Sequence, residues 1–397
     1  MIEFLLVVSI VIISLCIYLI ADYYGPATIR CRKGIDKNNL KQYKELIAQE
    51  YDSEGNLWAS RGMILYRMKK GDNVFKRVAH IPSGWSFYWL YNFSIFRKFV
   101  NKPECVVVTI SDNQHICAMS AGIIWYKQIQ DKKFTEVFQM RYFGMGVGRG
   151  IFSNGMVSVN KSEVYFGEYF RNPSRTDVRI YKSRDHGKTW DVAYEFEAKN
   201  TRHVHGIQKD PYTGRLWVTC GDLDHESFIA YTEDGFKTIH EVGRGSQKWR
   251  TCHLIFKQDY IYWGADTGSV EEAGVYRLDR KTNSIDKVCS VKGAILYGAE
   301  LINGDMVFCA DREGFENEED DVVRLIEVQS EHGVNELKVG SWKHSKKNFR
   351  YSFAMLRTPR NSGANTLCFS VINQKEYPMG EMILVEADHL HQLTNHN

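Results

Sequence analysis

Residues 161–196 read KSEVYFGEYFRNPSRTDVRIYKSRDHGKTWDVAYEF. Three β-rich runs, VYFGEY, VRIYKS and WDVAYEF, are separated by polar stretches and by the tight turn RDHGKT. Short runs of aromatic and β-branched residues bounded by Gly, Asp and Asn read as strands. The same order returns in 205–242 (RLWVTC, FIAYTE, DGFKT, IHEV) and in 254–288 (YIYWGA, GVYRLD, RKTN, SIDKV). A repeat of about 40 residues is the size of a four-stranded propeller blade. Weaker copies at 51–80, 105–140, 295–340 and 350–388 bring the expected count to six or seven blades. One blade cannot bury both faces of its sheet, and stacking in a ring does so. The reading is an all-β propeller over 51–390, with a tail at 391–397.

Composition agrees with a folded chain of small net charge. Of 397 residues, 44% are hydrophobic and 13% aromatic, and the net charge is +3. That excludes a disordered chain and gives no basic excess for nucleic acid. The nine cysteines form no CxxC spacing, so they read as small buried hydrophobes.

Ahead of the repeats lies IEFLLVVSIVIISLCIYLI. Phe4 to Ala21 carries no charge, long enough for one membrane-spanning helix. No basic residue precedes it and no small-x-small site follows, which favours an uncleaved anchor over 1–22. Arg30, Arg32, Lys33 and Lys37 follow the segment and favour a cytoplasmic propeller. Residues 23–50 read as a juxtamembrane linker, with Leu40, Tyr43, Leu46 and Ile47 at the spacing of a short amphipathic helix.

The turn Ser183-Arg-Asp185-His-Gly187-Lys-Thr189-Trp190 fits S-x-D-x-G-x-T-W, and Thr232-Glu-Asp234-Gly235-Phe-Lys-Thr238 is a partial copy without the Trp. Asp185 suits a turn whose amides need an acceptor, and Trp190 suits a plug between sheets. In these turns, and more broadly over 145–300, the chain resembles the BNR or Asp-box propellers, the sialidase-like family that includes bacterial proteins associated with polysaccharide biosynthesis. The resemblance implies a glycan substrate, and polysaccharide-assembly proteins as partners. The Arg-Ile-Pro string of true sialidases is absent, His80-Ile-Pro82 being the nearest match.

Blade topology places the chemistry. The start of inner strand A and the end of strand B share one face, and the Asp-box turn lies on the other. The first face collects Arg149, Glu168, Arg202, His203, His205, Asp222, Asp224, Trp249, Arg250, His253, Asp266, Tyr297 and Arg350. Arginines suit an anionic sugar. Glu168, Asp222 and Asp224 are candidate acid and base groups for glycoside hydrolysis, with His205 and Tyr297 as proton-transfer candidates. Arg149, Arg202, Trp249, Arg250, Asp266 and Arg350 are the candidate substrate contacts. His203 and His205 stand at i and i+2 on one side of a strand. With His253 they could hold a divalent metal (Mn, Zn or Ca), as in propeller lyases acting on acidic polysaccharides. The expected function is a membrane-anchored glycoside hydrolase acting on an acidic poly- or oligosaccharide. The alternatives are a metal-assisted polysaccharide lyase and a non-enzymatic glycan-binding propeller.

Overall fold

A computed structural model describes residues 2–32, 40–84, 87–100, 106–329, 333–341, 353–361, 366–377 and 380–396. Seven antiparallel sheets form the blades of a β-propeller. Their inner strands are Ile47–Tyr51, Val107–Ser111, Met156–Ser158, Val204–Lys209, Leu254–Phe256, Ile295–Glu300 and Met355–Arg357. One helix among the described residues, α1 (Ile2–Tyr24), is long and apolar enough to cross a membrane. Its Val7–Tyr24 window is only 6% buried.

The apolar residues sort into seven clusters: six are shared by two neighbouring blades, and the largest joins blades 6 and 7 and also takes in Ile47, Phe152 and Cys252 from the starts of blades 1, 3 and 5. This is what a period of two produces in a ring: alternate side chains on each strand meet the blade before and the blade after. Strand glycines let the blades approach. A Cβ on Gly264 would lie 2.1 Å from Ile295 of the next blade, and one on Gly167 would lie 2.4 Å from Val204. Gly264→Ala is therefore expected to lower stability by about 1–3 kcal/mol through overpacking, read as a lower urea midpoint at unchanged m-value.

The segment expected as a linker and helix is strand. Leu40–Lys44 pairs antiparallel with Glu381–Glu386, Leu40 opposite Val385, and supplies the outer strand of blade 7. Ile47–Tyr51 then starts blade 1. Leu40 joins the cluster toward blade 6, while Tyr43 joins the one toward blade 1. Burial on both faces of a five-residue strand removes the alternation that would identify it. The C-terminal stretch is likewise not a free tail: Ala387–His396 is a 3-10 helix whose Leu390 and Leu393 pack into the cluster between blades 6 and 7. Thr28–Arg30 adds a fifth strand to blade 1 beside Val74–His80.

The two repeat turns fold as their residues suggest. Asp185 Oδ1 accepts from the Lys188 and Thr189 amides at 3.1 and 2.9 Å and from the Ser183 hydroxyl at 2.8 Å. Asp234 repeats the pattern with Lys237, Thr238 and Thr232. Trp190 packs against Phe166 between blades 2 and 3. Hydrogen bonds led by the Thr238 amide hold Asp234 at about 2. A carboxyl lowered on folding stabilises above its unfolded value and loses that contribution as pH falls through the folded one. The loss from this turn thus falls between about pH 4 and pH 2, measurable as a falling melting temperature over that window.

Candidate functional site

The start of blade 4 brings together the densest group of candidate ligand atoms. His203 precedes strand Val204–Lys209, and the ladder with Leu216–Cys220 shifts register between Val204 and Gly206. The extra residue in that bulge is His205, and bulges re-aim side chains. Gly221, at φ 144°, turns the chain after Leu216–Cys220, and a Cβ there would strike Ser227 at 2.4 Å. Asp222 follows and faces back onto the histidines.

His203 Nε2 and His205 Nε2 are 3.0 Å apart. Asp222 Oδ1 lies 3.3 Å from the first and 3.4 Å from the second. The other ring nitrogens are fixed by backbone carbonyls. His203 Nδ1 donates to Phe170 O at 2.8 Å, and His205 Nδ1 to Thr251 O at 3.2 Å. A carbonyl only accepts, so each neutral imidazole carries its proton on Nδ1 and its lone pair on Nε2. Burial pushes His203 below its ordinary value against the opposing pull of Asp222. Burial would raise Asp222, but the adjacent His203 and His205 rings and the Arg250 charge hold it below the usual carboxylate range. Three lone-pair atoms therefore converge on one point. A triangle with those edges has a circumradius of about 1.9 Å, so a point about 2.1 Å from all three atoms lies about 1 Å above its plane. That is the reach of a zinc- or manganese-type ion to nitrogen and oxygen ligands.

His253 does not join this set. Among the described residues the ligand atoms that converge are those of His203, His205 and Asp222, with a second group of His205, Cys252 and Asp266. His253 instead faces Asn154 at 3.4 Å, and burial drops it to about 4. In the second group, burial drives the Cys252 thiol well above its ordinary value, and its Sγ stands 3.6 Å from Asp266. Without a bound ion, that burial favours the thiol over the thiolate.

Two arginines frame Asp222. Arg202 pairs with Oδ2 and donates through Nε to Arg171 O at 2.7 Å. Arg250 lies 3.4 Å from Asp222 Oδ1 and 3.3 Å from Asp266. Its buried Nε makes no hydrogen bond. Tyr169 stacks on His203 with ring centroids 4.1 Å apart. Arg149 acts electrostatically on Tyr169 and on Glu313. Glu313, two residues beyond Asp311 at the end of strand B in blade 6, escaped the sequence reading. Burial and the nearby Asp266 push its carboxyl up to about 8, a value suited to proton transfer near neutrality. The signal was its position just past Asp311-Arg312, on the site face.

Other expected site residues have structural partners. Both oxygens of Glu168 are bound by Arg141, at 2.8 and 2.6 Å, and the Arg179 amide donates to it as well. Trp249 is buried against Trp263 in the cluster between blades 4 and 5, not open to a sugar. Tyr297 is buried with its hydroxyl on Ser153. Asp224 is exposed and accepts from Gln247 at 2.7 Å. Arg350 lies outside the described residues. An open cleft of about 290 Å³ between blades 3 and 4 lies on the opposite face, beside the Asp234 turn.

No protein-family model matches the chain, and no curated protein matches it. Solved structures do. An oligogalacturonate lyase from Vibrio parahaemolyticus superposes with a TM-score of 0.55 at 8% identity, over 90% of this chain and 97% of that one. The chain shares its fold. YCF48 bound to D1 peptide superposes with a TM-score of 0.52 at 10% identity, over 91% of this chain and all of that one. At such identities the likeness is of fold, and propellers host many chemistries.

Proposed function

We propose that the chain is a membrane-anchored, metal-dependent, carbohydrate-active propeller that cleaves an acidic glycan by elimination. The observation that carries this reading is the convergence of His203 Nε2, His205 Nε2 and Asp222 Oδ1, with both Nδ1 protons held by backbone carbonyls. Backbone or carboxylate partners on the distal nitrogen are the usual support of metal-ligating imidazoles. A divalent ion there would neutralise a uronate carboxylate and acidify the proton beside it. Arg250 and Arg202 orient and counterbalance the anion. Glu313, its carboxyl raised by burial and the nearby Asp266, is the candidate to accept or return a proton. Hydrolysis has less support, because Glu168 is held by Arg141 and Asp222 by arginines and histidines, which leaves the two-carboxyl pair unassembled. The bonded turns at Ser183–Trp190 and Thr232–Thr238 support kinship with Asp-box propellers.

The anchor reading has its own support. Asp22, inside the last turn of α1, is buried and accepts from the Ser94 amide at 2.6 Å and from Arg61 at 3.1 Å. Such seating supports a helix that stays joined to the folded propeller. Arg30 and Arg32 beyond it favour the cytoplasmic side.

Incubating the full chain in detergent with polygalacturonate or alginate tests the reaction. Elimination leaves an unsaturated uronate end with ultraviolet absorbance. New reducing ends without that absorbance would point to hydrolysis and refute the elimination step. Binding without cleavage would leave a glycan receptor.

A further inference from the structure

We propose that residues 87–100 lie in the lipid interface and seat the propeller on the bilayer with its His203–Asp222 face toward the membrane. The segment joins the fourth strand of blade 1 in chain order outward from the axis, Val74–His80, to the inner strand of blade 2, Val107–Ser111. Strands alternate in direction, so a fourth strand ends on the face where the next inner strand begins. That is the face of His203 and Asp222.

Helix α1 leaves the propeller at this same face. Asp22 meets Arg61, at the turn after the second strand of blade 1, and Tyr23 packs on His80 with centroids 4.7 Å apart. Arg77 caps the helix end through Tyr24 O at 2.7 Å. The helix is thus clamped to blade 1. It is clamped to the insertion too: Tyr18 Oη lies 3.2 Å from Ser94 Oγ, at the start of α2 (Ser94–Val100). Tyr18 precedes Tyr24 by six residues, which places it about 9 Å back along the helix axis. If Val7–Tyr24 spans the bilayer, α2 lies at the depth where interfacial helices sit, about 5–10 Å into the headgroup and acyl boundary.

The side chains fit that depth. Phe87, Trp89, Ile95 and Phe99 are exposed by 47%, 49%, 64% and 52%. Arg97 is turned inward onto the Tyr91 and Asn92 carbonyls. Exposed aromatics continuous with an apolar helix mark a membrane belt. A lipid surface covers them with no gap between patch and anchor. The inference also rests on the reading above for one consequence: the acidic glycan would be reached close to the bilayer, as a lipid-linked or membrane-apposed chain.

The test uses the full chain in phosphatidylcholine–phosphatidylglycerol vesicles whose acyl chains carry bromine near the headgroup. Tryptophan fluorescence should be quenched, and Trp89→Phe should reduce the quenched part at least twofold. A tryptophan placed on the far face, Lys188→Trp in the Trp89→Phe background, should add no quenching. Equal quenching with and without Trp89, or quenching of the far-face probe, would overturn the proposal. Trp89 shielded from lipid in a concentration-dependent dimer would assign the patch to a second copy, and overturn it too. Metal content is measured on the same vesicles. Metal retained without Trp89 quenching would fail this inference alone; quenching without metal would fail only the catalytic reading.

Discussion

His203→Ala/His205→Ala is expected to bind no divalent metal where the native chain binds one equivalent. The chain, stripped with chelator and reloaded with Mn(II) or Zn(II), should hold that equivalent through gel filtration. Losing even an outer-shell partner typically costs about 10–100-fold in affinity, so losing both imidazoles should leave none measurable. Asp222→Asn should weaken binding by at least about 10-fold. His253→Ala separates the two readings of the site. The sequence pairs His253 with His203 and His205, whereas the structure sets Asp222 there. Metal affinity within about twofold of native in His253→Ala, beside a large loss in Asp222→Asn, fits the structural trio. The reverse pattern would refute it. Native protein free of metal after loading would leave the cluster as an Arg–Asp–His anion site. Because burial lowers His203, its imidazole stays neutral below the usual histidine range, and metal should survive mild acid better than at an exposed His pair.

The second large effect lies in a pair that sequence patterns did not mark. Arg360 and Glu50 are both buried and meet at 2.8 Å. Arg360 also donates to Val108 O and Ser153 O, and Glu50 accepts from Thr109 and from the Ile110 amide. One guanidinium thus ties blades 7, 1, 2 and 3. Arg360→Met strands a buried carboxylate, and breaking such a pair typically costs about 3–5 kcal/mol. Arg360→Met/Glu50→Gln should recover much of that. The pH dependence has a definite sign. Burial already raises Glu50 with Arg360 opposing, and without Arg360 it rises further. A carboxyl raised on folding is least harmful below its unfolded value and destabilises as pH climbs through the folded one. The loss in Arg360→Met should therefore be larger at pH 8 than at pH 5 in urea titrations. A loss independent of pH would mean that the cost is packing, not charge.

The propeller was legible where the repeat is regular. Blades 3, 4 and 5 show their strands as separate apolar runs, with polar turns at a constant spacing. Strand Leu40–Lys44 was not, because its two faces are buried in different clusters and the residual spacing imitates a helix. The site was legible as a face: strand starts and ends brought Arg202, His203, His205, Asp222, Arg250 and Asp266 together as topology requires. What the sequence could not resolve was which side chains already had partners. Nothing local ties Glu168 to Arg141, 27 residues earlier, or sinks Trp249 under the next blade. Sequence identifies which polar residues reach the axis; the partners they meet there depend on strand register and on which neighbour arrives first.

The pairing of Leu40–Lys44 with Glu381–Glu386 also sets an order of events during synthesis. The strand that completes blade 7 is made among the first and has no partner until nearly the whole chain has been translated. In the meantime it is an unpaired edge beside the apolar helix α1, a template for mispairing. Closing so long a loop is slow more than it is costly, since the entropy rises only with the logarithm of length. A chain stopped before residue 381 would keep most of its blades and lose its lock, leaving an open ring with one raw edge at each end.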